Sequence, residues 1–246
     1  MTGNTAAGGP PGPGRGGGVD NLARIRNCIV YFNIATNPVY AVSSNYYDSP
    51  LTYCCSAPLA GGAGNITNAP LFVDQAGGDY YLQSNSPCIN SGYNAYTTNS
   101  TDLDGNPRIV GGTVDIGGYE FQSPASVISY AWLQQYGLPT DGSADYMDPD
   151  GDGLNDWQEW IAGTDPTNLL SVLRLLNPTN NVSGVGVSWQ SVSGRSYWLE
   201  RSTNLGTLPP FSLLKSNITG QASMTSYTDT NAIGDGPFFY RVGVQQ

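Results

Sequence analysis

The tightest constraint on this chain lies between Arg108 and Arg174, where no Lys or Arg occurs and acids gather at Asp141, Asp145, Asp148, Asp150, Asp152, Asp156, Glu159 and Asp165. One-signed crowding of this kind opposes compaction unless a cation neutralises it. The run Asp148-Pro-Asp150-Gly-Asp152-Gly153-Leu154-Asn-Asp156-Trp-Gln-Glu159 satisfies D-x-[DN]-x-[DN]-G-x₅-E at every specified position. Such a spacing turns the carboxylates of Asp148, Asp150 and Asp152 toward one centre, with Gly153 permitting the sharp turn. The Leu154 carbonyl, Asp156 (directly or through water) and both oxygens of Glu159 complete the sphere. An all-oxygen set that is flexible and many-membered selects Ca²⁺ over the stricter octahedron of Mg²⁺. The contrary reading is a solvated acidic turn.

Composition narrows the rest. The 246 residues carry a formal net charge of -10 with a pI near 4.1, which disfavours nucleic acid and anionic membranes as partners. Charged residues are only 11% of the chain, against the roughly 25% usual in globular domains, as suits exposed β architecture with few surface helices. His is absent, which removes Ser-His-Asp and Cys-His catalysis and His-ligated zinc. Cys28, Cys54, Cys55 and Cys88 form no C-x-x-C pair; they read either as up to two disulfides or as buried free thiols. No run approaches the ~18 apolar residues of a membrane span. The start at Met1 lacks the basic and apolar regions of a signal peptide. If the protein is exported, the expectation is a C-terminal portion of something longer, with further coils upstream.

Residues 1 to about 24 are dominated by Gly and Pro and read as irregular. Short β-branched and aromatic runs follow at Cys28–Phe32, Leu51–Cys55, Pro70–Val73, Tyr80–Leu82 and Val114–Ile116, separated by turn residues. The step from Cys28 to Cys54 and on to Phe72 fits coils of a parallel β-helix, with a sandwich as the competing reading. Four ordered motifs give this stretch a resemblance. They are Asn68-Ala-Pro-Leu-Phe72-Val-Asp74, Tyr81-Leu82-Gln-Ser-Asn-Ser86-Pro87-Cys-Ile89-Asn-Ser-Gly92, Asp102-Leu-Asp104-Gly105-Asn106-Pro107-Arg108 and Val114-Asp115-Ile116-Gly117-Gly-Tyr119-Glu120. Residues 1–122 resemble the closing segment of bacterial right-handed parallel β-helix surface proteins. Thr2-Gly3-Asn4 and Gly16-Gly17-Gly18 then resemble a degenerate preceding coil. The resemblance implies that Asp102 to Glu120 caps the last coil. Arg108 is expected to pair with Asp115 or Glu120; a lyase-like site of Arg108 with Asp102 and Asp104 is the alternative.

A helix is expected over Ser126–Tyr136, with Ile128, Trp132 and Tyr136 on one face and Gly137 at its end. A second leaves the acidic loop, with Trp157, Trp160 and Ile161 forming a small core and Gly163 as stop. With Gly163-Thr164-Asp165-Pro166 behind it, the acidic loop resembles a bacterial thrombospondin type 3 repeat and, more loosely, a dockerin loop. Asp141-Gly-Ser143-Ala-Asp145 departs from the second loop that a dockerin needs. In thrombospondin-type modules the metal stiffens a linker, and that role is implied here. From Ser171, runs at 172–176, 184–189, 197–201, 211–214, 226–229 and 238–242 read as a small sandwich. It resembles the immunoglobulin-like or fibronectin type III-like modules that follow calcium linkers in bacterial surface proteins. Trp189, Trp198 and Tyr240 are read as its core rather than as sugar-stacking rings.

The fold class expected is therefore mainly all-β: terminal coils of a right-handed parallel β-helix over 1–122, a helix–calcium loop–helix connector over 123–169, and a β-sandwich over 170–246. The function expected is that of an extracellular or cell-surface calcium-binding structural or adhesion protein, bound to extracellular polysaccharide or the cell envelope. No catalytic residues are assigned, since nothing assembles a nucleophile, a base and an oxyanion site. The alternatives are the C-terminal part of a polysaccharide-active β-helix enzyme, or a carbohydrate-binding module.

Overall fold

Early strands of the chain run parallel to strands about one fixed interval further on. β1 (Thr5–Ala7) pairs with β5 (Ile34–Thr36), and β2 (Val19–Asp20) with β6 (Tyr46–Tyr47). Likewise β3 (Ile25–Arg26) pairs with β7 (Leu51–Thr52), and β4 (Ile29–Val30) with β8 (Cys55–Ser56). The interval is 29 residues at Thr5↔Ile34 and 26 at Ile29↔Cys55. The computed structural model describes residues 1–7, 17–20, 24–36 and 44–245. Much of the Gly/Pro-rich stretch expected to be irregular, 8–16 and 21–23, lies outside the described residues. Its described remainder contributes the short strands β1 and β2, where irregular chain was expected.

In-register stacking buries one apolar side chain on the next, and Val19, Ile25, Val30, Leu51, Cys54 and Ala60 form a core with Cys28 and Tyr46 against it. Corners repeat as well. Asn27 and Tyr53, 26 residues apart, both take a left-handed backbone, with φ of 47° and 51°. Asn27 tolerates this conformation well, and its amide exchanges hydrogen bonds with the Tyr93 backbone at 2.9 and 3.0 Å. Buried Asn33 donates to Asn45 Oδ1 at 3.1 Å and accepts from the Asn4 amide at 3.1 Å, so stacked asparagines satisfy backbone and one another at a turn. The cysteines are free thiols, with Cys54, Cys55 and Cys88 buried. Burial and the neighbouring Cys55 thiol push the Cys88 thiol well above its ordinary range.

Beyond Ser56 the expected third parallel strand at Phe72 does not occur. Instead β9 (Phe72–Asp74) pairs antiparallel with β10 (Asp79–Leu82), because Asp74 Oδ1 accepts from Gly77 N and closes a tight turn. Val114–Ile116 is likewise no strand. Val114 and Ile116 are fully buried, but their amides go singly to Asn94 Oδ1 and Cys88 O. Arg108 pairs with Glu120 at 2.7 Å and donates to the carbonyls of Asp115 and Gly117. Asp115 Oδ1 and Oδ2 accept from Asn90 N and Phe121 N. Burial first, then the charge of Glu120, pushes the Asp115 carboxyl up to about 7. Asp102 accepts from the amides of Asp104, Asn106 and Glu120, and Asp104 from the Tyr81 hydroxyl. These acids thus tie down the 102–120 segment.

The first helix, α1 (Tyr130–Gln135), is shorter than expected because the Ser129 side chain caps it, accepting from Trp132 N. Its buried face is Tyr130 and Leu133 rather than Trp132 and Tyr136, which meet edge to face with ring centroids 4.9 Å apart. Ser126, four residues earlier, is bonded instead to Asp145 Oδ1.

The chain divides into two compact units, Met1–Asp145 and Tyr146–Gln246, so the boundary falls inside the 123–169 segment. In the second unit, α2 (Asp156–Ala162) precedes two three-stranded antiparallel sheets. One orders β11 (Thr179–Asn181), β12 (Gly184–Ser191) and β15 (Ser223–Asp229). The other orders β14 (Ser212–Thr219), β13 (Ser196–Ser202) and β16 (Phe239–Val244). Alternation along β12 and β13 sends Val185, Val187, Trp189, Tyr197 and Leu199 into one sandwich-like core. Residues 172–176 form no full strand: they make the bridge Leu175↔Trp189 and place Leu173 and Leu175 against the core. Trp189 is core, as expected, and Tyr240 packs against it. Trp198 is not: it lies on the opposite face of β13, over Gly243 and near the guanidinium of Arg241.

Candidate metal centre

The acidic loop folds around its own side chains. Asp148 accepts from Gly151 N and Gly153 N at 2.9 and 3.1 Å, Asp150 Oδ1 from Asp152 N at 3.1 Å, and Asp152 Oδ1 from Leu154 N at 2.7 Å. Gly151 and Gly153 sit at φ 76° and 96°, a left-handed backbone that costs glycine nothing. These turns bring a carboxylate oxygen of each of Asp148, Asp150 and Asp152 within 4.8 Å of the others. At that separation the three charges repel strongly.

The helix that follows supplies the other carboxylates. Asn155 and Gln158 cap α2 reciprocally, which sets the helix start at Asp156. Asp156, Glu159 and Ala162 are the buried residues of α2, with both acids at 0% exposure. The expected aromatic core face is therefore a correction: Trp157 is exposed, and Trp160 and Ile161 are half-buried. A helix that buries its acids and leaves its Trp outside violates ordinary amphipathic packing unless a cation receives those acids. Gly163 ends the helix in the left-handed conformation, as expected.

Polar satisfaction is incomplete in one direction. Among the described residues, Asp150 Oδ2, Asp152 Oδ2 and Glu159 Oε2 are buried without a hydrogen-bond partner. The other oxygen of Glu159 accepts from Thr164 Oγ1 at 3.2 Å. Desolvation chiefly, then the charges of Asp150, Asp152 and Asp156, pushes Glu159 up to about 7 against the Thr164 bond. Desolvation also raises Asp152. Orphaned oxygens on hard carboxylate donors fit a hard divalent cation. The spacing pattern missed Thr164, which orients Glu159 from outside the twelve-residue loop.

Comparison with known proteins agrees with this geometry where it reaches. The bacterial TSP3 repeat matches residues 148–169, which supports calcium binding by this stretch. No curated protein and no solved structure matches the chain. Among the described residues, no helix is long and apolar enough to cross a membrane.

Proposed function

We propose that this chain is a secreted or cell-surface calcium-binding structural protein that serves in display, adhesion or retention at the envelope and has no catalytic site of its own. The orphaned oxygens of Asp150, Asp152 and Glu159 in a TSP3-matching segment carry the reading. Asp148, Asp150, Asp152, the Leu154 carbonyl, Asp156 and Glu159 would hold the ion. Bound Ca²⁺ supplies charge neutralisation, and the carboxylates supply a loop that closes only when their repulsion is relieved. Metal affinity thereby becomes folding free energy for the start of the second unit. Extracellular calcium modules work at roughly 10⁻⁴–10⁻³ M, which suits a surface location.

In the same reading the parallel pairs at 26–29-residue intervals are the terminal coils of a right-handed parallel β-helix, and 102–120 is its cap. The C-terminal sheets are an immunoglobulin- or fibronectin III-like module, and the partner is extracellular polysaccharide or the cell envelope. The test is a calcium titration by calorimetry with thermal melts in Ca²⁺ and in EDTA, on wild type and Asp150→Ala. One site that raises Tm and disappears in the variant is expected; neither heat nor shift in wild type would refute the proposal.

A second reading, carbohydrate binding by the C-terminal module, has one observation in its favour. Trp198 lies on the outer face of its sheet, with Arg241 between it and Phe211, where a flat ring can stack on a sugar. Loss of glycan-array signal in Trp198→Ala would support it; a silent wild type would dismiss it.

A further inference from the structure

The C-terminus of a helix gathers unsatisfied carbonyls and partial negative charge, which a nearby cation relieves. α2 has Asp156 and Glu159 in its first turn and no basic residue in its last. The cation arrives from elsewhere in the chain. Arg195, in the turn joining β12 to β13, donates from Nη2 to Trp160 O at 3.0 Å. Its seat is Gly163, where an added Cβ would lie 2.6 Å from Arg195 Nε and 3.1 Å from Nη2. Glycine is needed there twice, for its φ of 75° and for the guanidinium's room.

The residues under Arg195 are those that hold the last carboxylate of the acidic loop. Glu159 O accepts from Gly163 N at 2.7 Å and from Thr164 N at 3.1 Å, while the Thr164 hydroxyl holds Glu159 Oε1. On the other side, the Arg195 backbone is built into the sandwich. Arg195 N donates to Val192 O at 3.3 Å, and Arg195 O accepts from Gly220 N, beyond β14, at 2.8 Å. One side chain thus joins the helix bearing Glu159 to two sandwich turns.

We propose that Arg195 is a positioning residue for the calcium loop: it holds the end of α2 so that Glu159 closes the loop, and it links calcium occupancy to the order of the turns around Arg195 and Gly220. The proposal rests on the calcium reading above and deepens it. Linkage is reciprocal, so what Arg195 does for calcium affinity, calcium does for those turns.

The test uses the full chain as wild type, Arg195→Met and Arg195→Lys, with calcium calorimetry and amide hydrogen exchange. Arg195→Met is expected to bind calcium about 5-fold more weakly, and Arg195→Lys, which keeps charge and donors, to recover part of the loss. In wild type, calcium slows exchange at the Arg195 and Gly220 amides; in Arg195→Met that slowing is lost. An arginine with only a structural role would lower Tm equally with and without calcium and leave Kd unchanged, and that result overturns the proposal. Wild type that binds calcium without slowing those amides also overturns it, in a measurement that needs no variant. Wild type that binds no calcium removes the calcium reading itself, and this proposal with it.

Discussion

Under the proposed function, calcium and protons compete for Glu159, and the competition can be measured. The carboxyl is buried, one oxygen is held by Thr164 and the other is orphaned. Its ordinary value of 4.5 is pushed up to about 7 by desolvation and by the loop acids. At pH 6 about nine-tenths of the metal-free protein therefore carries a proton on Glu159, and at pH 8 about one-tenth does. A calcium ligand must be deprotonated, so binding at pH 6 expels about 0.9 proton and at pH 8 about 0.1. With about 1.4 kcal/mol per pH unit below the carboxyl's value, Kd weakens about tenfold from pH 8 to pH 6. Calorimetry in two buffers of different ionisation enthalpy reads the proton count directly. The sign for stability runs the other way. A raised carboxyl favours the metal-free fold below 4.5, and that advantage is lost as pH rises through about 7. Metal-free protein should therefore melt higher at pH 5 than at pH 8, while saturating calcium, which holds Glu159 ionised, nearly erases that difference. Equal Kd at pH 6 and pH 8, with heats independent of buffer, would show that Glu159 is not a ligand of the kind argued.

Two further perturbations probe each unit separately. Trp189 is fully buried in the sandwich core, so Trp189→Ala should cost about 3–5 kcal/mol in denaturant unfolding of the second unit; a cost below about 1 kcal/mol would contradict that core. Arg108→Met leaves the Glu120 carboxylate, whose side chain has no exposure, without its ion pair, and should cost the first unit about 3–5 kcal/mol at pH 7. Burial already raises Glu120. Without Arg108 it should take up a proton more readily, so the cost should shrink at pH 5; a pH-independent cost would argue against a buried charge as its origin.

The acidic loop was legible because its chemistry is local: five carboxylates and a glycine at fixed spacing are read off one stretch of chain. The parallel pairing of β4 with β8 was legible for a similar reason, since Cys28 and Cys54 repeat at the interval that the register keeps. The segments that misled were those whose partners lie elsewhere. Phe72 is spaced like another stacked strand but turns back, because Asp74 closes a hairpin through its own side chain. Ile128, Trp132 and Tyr136 satisfy a helical period, yet the helix starts only after Ser129, since Ser126 is engaged by Asp145. Trp198 alternates correctly along its strand, and alternation alone does not say which of the two faces is covered.

By itself the sequence determined the acidic spacing of the loop, the turn at Gly153, the stop at Gly163 and the excess of negative charge that calls for a cation. These depend on residue type and short spacing. Tertiary structure decided that the buried face of α2 is acidic rather than aromatic, that Thr164 holds one oxygen of Glu159, and that Arg195 caps the helix from 35 residues away. Burial and long-range hydrogen bonding are properties of what the rest of the chain brings alongside. No local pattern encodes them.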